Sequence, residues 1–401
     1  MDVRRVTVEP ASAPAYDVRV GEGVAAAFPA ECASVLGHAP GRLFAVLDDG
    51  VPDAFTGPVL DAFRAAGYAV TTHAMHATER TKSLESVGFL LTAIAEAGLE
   101  RRDPVLAIGG GIVGDVAGFA ASAYRRGVPI IQCPTTLLAM VDASVGGKTG
   151  VNLTVPTRDR ESPDSQPALL KNMAGAFHQP AAVLADVTSL GSLADRQFRA
   201  GLAECLKHGL ISGDWDDPTL GAWMDSAVPA ILSRENGQHR ATLIECVARN
   251  VAVKARVVAA DEKEKSDTGG RALLNLGHTF AHAIETIPTL SPDGDPVHAP
   301  LQHGEAVALG LVGASACAAA MGLVGTAHTE RTIASVSACG LPVKVAGLPD
   351  DETLIARMRH DKKAAGGVLR LTLPTGDATT ALITDPPLEA VRLGWSAIRA
   401  G

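Results

Sequence analysis

Apolar and polar residues follow two different rhythms along the N-terminal part of the chain. Three short runs rich in β-branched and aromatic residues, at 3–8, 42–49 and 68–75, have the composition and alternation that are typical of strands. The segments 54–66 and 83–98 instead repeat apolar residues at the spacing of an amphipathic helix. Strands that alternate with helices in this way predict βαβ units and a parallel sheet.

The pattern changes at 105–124, where an apolar run ends in Gly109, Gly110 and Gly111 and passes into a helical stretch of small residues. This order predicts a strand, a tight turn and the start of a helix. Glycine permits the turn and lets a phosphate approach the backbone N–H groups at the helix N-terminus. The G-x-G-x-x-G pattern of dinucleotide-binding proteins is matched, but no acid follows about 20 residues on, where a ribose ligand is expected. A glycine turn that serves only helix–strand packing is the alternative.

A second apolar run, at 128–134, leads into a small and polar stretch that includes Asp142, Lys148 and Asn152. Such a sequence predicts a second loop at the carboxyl ends of parallel strands, where open α/β sheets bind ligands. The GGKTG sequence around Lys148 is not an ATP-binding P-loop, because that motif requires glycine at the position of Asp142. Residues 155–170 are rich in Pro, Ser and charge, and they predict a surface loop.

The C-terminal half is predicted to be mostly helical. Helices are expected at 196–212, 240–261, 273–287, 303–324, 328–339 and 351–360. Two alternating runs, at 368–374 and 379–384, are separated by a short segment that begins with Thr-Gly-Asp, and they predict a β-hairpin. We therefore expect an α/β domain over residues 1–189 and a mostly α-helical domain with a small hairpin over residues 190–401.

Charge and composition narrow the class of protein. A net charge of −9 argues against non-specific nucleic-acid binding. The N-terminus lacks the apolar core of a signal peptide, and the six cysteines have no paired short spacing, so we expect a cytoplasmic protein with reduced thiols. The uncharged stretch Ala306–Ala327 is long enough to span a bilayer, but its Ala and Gly content favours a closely packed interior helix and no membrane insertion.

Carboxylate and histidine side chains at helical spacings indicate a metal site in the C-terminal half. Glu204 lies on one predicted helix, and His303 begins another. His278 and His282 share one face of a third helix together with Asn275. Catalytic zinc usually takes three His or carboxylate ligands and keeps one position open. Spacing alone does not choose between His278 and His282 as ligand, and two histidines one turn apart can also be satisfied core residues.

Several long segments resemble those of one enzyme family. GGGIVGDVAGFAASAYRRG and PTTLLAMVDASVGGKTGVN are similar to the nucleotide- and substrate-binding segments of 3-dehydroquinate synthases, which are sugar phosphate cyclases. NLGHTFAHAIE and HGEAV are similar to the metal-binding segments of the same family. The resemblance implies a Rossmann-like parallel-sheet domain, followed by a mostly α-helical metal-binding domain. It also implies NAD and Zn²⁺ (or Co²⁺) as cofactors, and a homodimer.

The resemblance also implies the residues of the site. The metal ligands are then Glu204, His278 and His303, which leaves His282 for proton transfer. The residues implied for NAD binding are Asp48, Glu79, Lys82, Gly110, Gly111, Ile112, Asp115, Thr135, Thr136 and Lys171. Those implied for catalysis besides His282 are Lys207, Asp142, Asn275 and Asp267. Those implied for substrate binding are Arg126, Lys148, Asn172, Lys254, Arg271, Lys362 and Lys363.

The implied reaction is a carbon–oxygen lyase reaction of the shikimate pathway, which leads to the aromatic amino acids. Its substrate, 3-deoxy-D-arabino-heptulosonate 7-phosphate, is a phosphorylated sugar acid. This substrate would be oxidised transiently by NAD, lose phosphate by β-elimination, be reduced again and close by an aldol step to 3-dehydroquinate.

Other functions are alternative interpretations of the same sequence. One is 2-epi-5-epi-valiolone synthase, which typically alters the positions that match Asn275 and the HDKK lysines; both are intact here. Aminodehydroquinate synthase is not separated by any residue. A metal-dependent polyol dehydrogenase on the same two-domain plan and a non-catalytic nucleotide-binding protein are further alternatives.

Overall fold

The chain forms two compact units, Met1–Leu193 and Ala194–Gly401, whereas the sequence predicts the division between residues 189 and 190. The computed structural model describes residues 2–155, 168–233, 237–266, 269–361 and 368–400. Most of the predicted surface loop, and the predicted site residues Asp267, Lys362 and Lys363, therefore lie outside the described residues.

The first unit contains a seven-stranded sheet with helices on both faces. The strands of this sheet are β1 Val3–Val8, β2 Tyr16–Gly21, β3 Arg42–Asp48, β4 Ala69–Met75, β5 Val105–Gly109, β6 Ile130–Pro134 and β9 Ala182–Asp186. A separate two-stranded ribbon consists of β7 Lys148–Val155 and β8 Ala168–Phe177. The helices of the first unit are α1 Val24–Ala27, α2 Pro29–Leu36, α3 Asp53–Ala65, α4 Leu84–Glu96 and α5 Gly111–Ala123. The strand order of the sheet is β1-β2-β9-β6-β5-β3-β4.

All neighbouring strands of this sheet are parallel except β1, which pairs antiparallel with β2. Strands β5, β6 and β9 are buried along their whole length. Continuous apolar strands of this kind are expected where helices cover both faces of a parallel sheet. Helices α4 and α5 pack on one face, and α2 and α3 pack on the other. The predicted parallel α/β fold is confirmed.

The order of the strands reverses between β3 and β5. From β3 the chain moves outward to β4 and then returns to form β5 on the other side of β3. Such a reversal opens a crevice at the carboxyl ends of the strands, where α/β sheets bind ligands. Asp48 ends β3 and Gly109 ends β5. Two segments predicted to bind the nucleotide therefore flank this crevice.

An antiparallel ribbon formed by β7 and β8 was not predicted. The sequence predicts a polar loop from Thr135 to Asn152, because glycines and small polar residues dominate there. The structure instead pairs Lys148 with Phe177 and Val155 with Ala168. The paired residues are 13 to 29 positions apart, so the periodicity of either strand alone does not report the pairing.

The second unit is mostly α-helical. Its elements are α6 Asp195–Ile211, α7 Leu220–Ser233, α8 Gly237–Ala260, α9 His278–Glu285, α10 His303–Ala320, α11 Thr326–Ala338, α12 Asp351–Asp361, β10 Arg370–Pro374, β11 Thr380–Thr384 and α13 Leu388–Ile398. The predicted hairpin is present as the antiparallel pair β10–β11. Helix α13 was overlooked, although its buried Val391, Trp395 and Ile398 recur at helical spacing.

Helix α10 lies in the interior of the second unit, in contact with α6, α9, α11 and α13. Among the described residues it is the one helix long and apolar enough to cross a membrane, and 78% of it is buried inside the protein. The structure therefore shows the closely packed interior helix that the sequence predicts at the start of the uncharged stretch Ala306–Ala327.

One helix prediction is wrong in a way that affects the site. The segment 273–287 was expected to be a single helix, with Asn275, His278 and His282 on one stripe. Instead, a short 3₁₀ turn at Gly270–Asn275 ends before Gly277, which has a φ of 75°, and α9 begins only at His278. This left-handed conformation suits glycine and breaks the helix. Asn275 is therefore not on the face that carries the two histidines.

Candidate active site

Three helices of the second unit bring the predicted metal ligands together. Glu204 lies in α6, His278 is the first residue of α9, and His303 is the first residue of α10. One ligand atom from each of these side chains lies within 4.8 Å of the other two. The Nε2 atoms of His278 and His303 are 3.5 and 3.4 Å from Oε1 of Glu204.

These separations fit a tetrahedral metal ion. Zinc bonds of about 2.0–2.2 Å place neighbouring ligand atoms of a tetrahedron about 3.3–3.6 Å apart. Two histidines and one carboxylate are also a donor set found in catalytic zinc sites, in which the fourth position is open to water or substrate. The residues present therefore fit a divalent metal of the zinc type.

Two glycines of α10 allow the three helices to approach this closely. A Cβ atom on Gly304 would lie 1.9 Å from the carbonyl oxygen of Ala200, one turn before Glu204 on α6. A Cβ atom on Gly310 would lie 2.1 Å from the carbonyl oxygen of Gly277, which precedes His278. Neither distance is sterically allowed. Backbone contact at these two positions therefore sets the spacing of the ligand-bearing helices.

Glu204 is completely buried, and its two oxygen atoms have different neighbours. Oε1 faces the two histidines, whereas Oε2 is 2.5 Å from the ammonium group of Lys207, one turn along the same helix. Burying a carboxylate requires compensating positive charge or hydrogen bonds. Lys207 therefore supplies part of that compensation and leaves Oε1 facing the two histidines.

The two histidines of the candidate metal site have opposite pKa shifts. Burial lowers the pKa of His278 to about 3, and nearby Lys207 adds to this, although Glu204 opposes it. Burial also disfavours the charged form of His303, but its interactions with Glu204 and Glu285 outweigh this and raise its pKa to about 10. His303 thus lies between two carboxylates, which is an environment that favours a cation.

The second ring nitrogen of each of these two histidines, Nδ1, also has a partner. Nδ1 of His278 lies 3.1 Å from the carbonyl oxygen of Leu276, and Nδ1 of His303 lies 3.4 Å from Oε2 of Glu285. Such outer contacts orient metal-binding imidazoles. Glu285 was missed by the sequence analysis, although it follows His278 and His282 at the i+7 and i+3 positions that define one helix face.

The N-terminus of α10 is held by a second set of contacts that the sequence analysis also missed. Glu305 accepts a hydrogen bond from the backbone N–H of Gln302 and forms a two-point ion pair with Arg196, at 2.7 and 2.8 Å. Arg196 belongs to α6, which also carries Glu204. The pair therefore ties the start of α10, and with it His303, to the helix that carries a second predicted ligand.

The other predicted residues of the second unit lie in different surroundings. The ring of His282 is centred 5.5 Å from that of His278 and 6.4 Å from that of His303. Asn275 donates a hydrogen bond to Glu264 at 3.3 Å. Lys254 and Arg271 are almost completely buried, at 4% and 2% exposure. Buried cations are uncommon outside paired or functional sites.

In the first unit, a small cleft lies against the predicted nucleotide loop. Its lining includes Gly110 and Gly111, where α5 begins, and Ala143 and Ser144 from the next loop. Gly110 is the N-cap of α5 and has no side chain that could accept from the N–H groups of the first turn. Such N–H groups at a helix start are suited to an anion. The cleft therefore has the form of a phosphate-binding helix N-terminus.

The threonines after β6 belong to the same corner of the sheet. The N–H of Thr135 donates to the carbonyl of Gly109 at 2.9 Å, which links the loop after β6 to the end of β5. Thr136 accepts a hydrogen bond from the N–H of Ala139 at 3.2 Å. Ile112 is partly buried against the core below α5. The sequence-predicted loops at 109–112 and 135–136 are therefore adjacent.

A polar cluster joins five more of the predicted residues. The ammonium group of Lys82 lies 2.6 Å from Oδ2 of Asp115 and 2.6 Å from Oδ1 of Asn172. Lys171 pairs with Glu79 at 3.5 Å. Asn152, to which the sequence assigns no role, connects these two pairs. Its side-chain amide donates to Glu79 at 2.8 Å, and its oxygen accepts from the N–H of Asn172 at 3.0 Å.

The remaining predicted residues of the first unit lie in turns or at strand ends. Asp48 accepts a hydrogen bond from the N–H of Gly50 at 3.0 Å. Asp142 lies in a short π-helical turn at Ala139–Ala143. Lys148 begins β7 with an exposed side chain. Arg126 is exposed in the turn after α5, with a φ of 67°. The structure thus does not join Arg126 to the cluster around Lys82.

Comparisons with known proteins assign both halves of the chain to one family. The N-terminal family model of 3-dehydroquinate synthase matches residues 72–200, and the C-terminal model matches residues 201–364. A 3-dehydroquinate synthase of Cereibacter sphaeroides is 40% identical over 396 residues, which cover 98% of this chain and 97% of the relative.

Solved structures of related cyclases have a similar fold. A 2-epi-5-epi-valiolone synthase from Streptomyces hygroscopicus, with NAD⁺ and Zn²⁺ bound, has a TM-score of 0.77 and 26% identity over 98% of both chains. A 2-deoxy-scyllo-inosose synthase complexed with carbaglucose-6-phosphate, NAD⁺ and Co²⁺ also has a TM-score of 0.77, over 98% of this chain and all of the other. At 24% identity this second likeness concerns the fold alone.

Proposed function

The chain belongs to the 3-dehydroquinate synthase family, and we propose that it converts 3-deoxy-D-arabino-heptulosonate 7-phosphate into 3-dehydroquinate and phosphate. The reaction class is that of a carbon–oxygen lyase that eliminates phosphate and closes a carbocycle. The observation that carries the proposal is the cluster of Glu204, His278 and His303, whose ligand atoms have the spacing of a tetrahedral metal. This cluster occurs in a chain that also has a nucleotide-type glycine loop.

Two cofactors are part of the proposal. NAD is assigned to the crevice between β3 and β5, with its pyrophosphate at the start of α5 and its adenosine half near Asp48 and Glu79. Zn²⁺ or Co²⁺ is assigned to Glu204, His278 and His303. A bound metal supplies Lewis acidity, and a bound nicotinamide supplies a reversible hydride acceptor.

The chain's own residues bind and orient an anionic substrate. Lys254 and Arg271 are buried cations suited to a carboxylate or to hydroxyl groups, and Lys207 orients a hydroxyl beside Glu204. Lys148 and Asn172 of the first unit are assigned to the phosphate. The family pattern adds Lys362 or Lys363 of the second unit to this assignment. Asp142 and Asn275 are assigned to hydroxyl groups, and Asp267 is a further candidate from the family pattern.

Proton transfer is assigned to His282. Its ring lies beside that of His278 but outside the group of three ligand side chains. An imidazole is suited to proton transfer near neutral pH. A ketone next to the reacting carbon acidifies its C–H bond, and phosphate can then leave by β-elimination. The protein therefore does not need to supply a strong base.

The central experiment measures phosphate release from the heptulosonate phosphate with NAD, before and after metal removal by a chelator. We expect turnover that requires metal and only catalytic amounts of NAD, without net absorbance change at the nicotinamide band. A steady accumulation of NADH would instead identify a polyol dehydrogenase. Faster turnover of an aminated or carboxylate-free sugar phosphate would identify another cyclase.

The assembly and location are also proposals. The chain is assigned to the cytoplasm as a homodimer, and the exposed Arg126 to a substrate site of the neighbouring subunit. Light scattering coupled to gel filtration tests the dimer. Mixing an Arg126→Ala variant with a variant inactive at His278 tests the assignment of Arg126, because mixed dimers should then recover part of the activity.

A further inference from the structure

Glu285 occupies the same face of α9 as the two histidines of the candidate site. It is the last residue of that helix, three residues after His282 and seven after His278. Its side chain is 8% exposed, and Oε2 lies 3.4 Å from Nδ1 of His303, which belongs to a different helix. Helix α9 therefore carries one ligand and also a carboxylate that contacts another ligand.

The final turn of α9 is anchored from outside. Arg357 of α12 donates hydrogen bonds to the carbonyl of Ala283 at 2.6 Å and to the hydroxyl of Thr286 at 2.6 Å. These two acceptors flank Glu285 in sequence. The backbone that carries the carboxylate is thus held in place independently of His303.

His303 has more need of an orienting partner than His278. The side chain of His303 is 35% exposed, whereas that of His278 is 12% exposed and contacts a backbone carbonyl of its own chain segment. An imidazole at the first position of a helix, with a third of its surface exposed, is weakly restrained by packing. A contact at Nδ1 restrains its rotation and selects the tautomer that carries the lone pair on Nε2.

We propose that Glu285 is a positioning residue that directs Nε2 of His303 towards the metal and thereby sets the metal affinity. The inference rests on the metal site proposed above. Nε2 faces Oε1 of Glu204 at 3.4 Å while Nδ1 faces Glu285 at 3.4 Å, so one ring is held between two carboxylates. The first carboxylate shares the metal, and the second orients the ring and increases its basicity as a ligand.

The test compares Glu285→Gln and Glu285→Ala with a control, Glu330→Gln, which changes an exposed glutamate of α11. Metal dissociation constants of the full chain are measured by competition between Zn²⁺ or Co²⁺ and a chromophoric chelator. We expect the Ala variant to bind about 10–100-fold more weakly, as outer-contact substitutions typically do. The Gln variant should fall between it and wild type, because its amide oxygen still accepts a hydrogen bond. The control should be unchanged.

Two further measurements separate positioning from other roles. Thermal unfolding of the metal-free variants reports any purely structural contribution, and the visible spectrum of the Co²⁺ forms reports the coordination number. A loss of metal-free stability with unchanged metal affinity would overturn the proposal. So would a changed coordination number in the Gln variant, since Glu285 would then be a ligand itself. Absence of metal binding by the wild type would instead refute the metal site of the proposed function.

Discussion

The nucleotide loop of the first unit and the metal cluster of the second are built on different principles. The loop lies within one continuous stretch, Val105–Asn152, and offers backbone N–H groups at the start of α5. The cluster consists of three side chains separated in sequence by up to about a hundred residues, buried on helices that touch through glycine. The first site depends on local backbone geometry, whereas the second depends on tertiary packing.

This difference predicts which function each substitution affects. A change in the loop should alter nucleotide binding and leave the metal in place. A change at a ligand, or at a contact between the ligand-bearing helices, should remove metal and leave nucleotide binding intact. Metal affinity and NAD affinity therefore distinguish the two kinds of change.

The largest effect is expected from His278→Ala. Loss of a ligand should lower metal content and reduce kcat by about a thousandfold or more, since a bound metal contributes several kcal/mol to transition-state stabilisation. NAD affinity, measured by fluorescence, should stay within about twofold. The control is His298→Ala, which changes an exposed histidine paired with Asp293 in the same unit. Activity retained in the metal-depleted His278 variant would contradict the proposed role of the cluster.

A smaller effect is expected from Gly304→Ala. The new Cβ would lie 1.9 Å from the Ala200 carbonyl, so α6 and α10 must move apart. Overpacking of this kind costs about 1–3 kcal/mol of unfolding free energy, and it should weaken metal binding as well because it separates Glu204 from His303. Urea unfolding and chelator competition measure the two effects.

The control for that variant is Gly325→Ala, at the N-cap of α11, where an added Cβ meets no atom within 4 Å. It should keep the metal affinity of the wild type. If Gly304→Ala also kept that affinity while losing stability, the helix contact would support the fold without setting the ligand spacing.

The same contrast explains what the sequence could reveal. The strand–turn–helix order and the long apolar runs predict the parallel sheet. Parallel strands are buried on both faces, so each one is visible as a continuous apolar run within a short stretch of sequence. Glu204, His278 and His303 were named only with the help of the family resemblance, since spacing left His282 as an equal candidate. The break at Gly277 and the contact of Glu285 with His303 depend on tertiary structure, which no local periodicity reports.

A third prediction concerns Lys82→Met in the first unit. Lys82 is 7% exposed and contacts Asp115 and Asn172, so its removal takes a cation away from a partly buried carboxylate. We expect a loss of about 1–3 kcal/mol in unfolding free energy, together with weaker NAD binding. Metal affinity should not change. Lys82→Arg keeps the charge and should recover part of the stability; equal losses in both variants would contradict an electrostatic role.

The smallest effect is expected from Gly110→Ala, which tests the loop most directly. Gly110 has a φ of −73°, so alanine is tolerated by the backbone, and the added Cβ would lie 3.2 Å from Cγ2 of Thr136. The added methyl group should therefore narrow the cleft without disturbing the fold. NAD should bind about 3–10-fold more weakly, which corresponds to about 1 kcal/mol, with unchanged metal affinity.

Gly88→Ala is the control, because the residue lies within α4, where an added Cβ meets no atom within 4 Å and should stabilise the helix slightly. If Gly110→Ala weakened metal binding as much as NAD binding, the two sites would be coupled. A nucleotide site set by local backbone geometry and a metal site set by helix packing would then not be independent of each other.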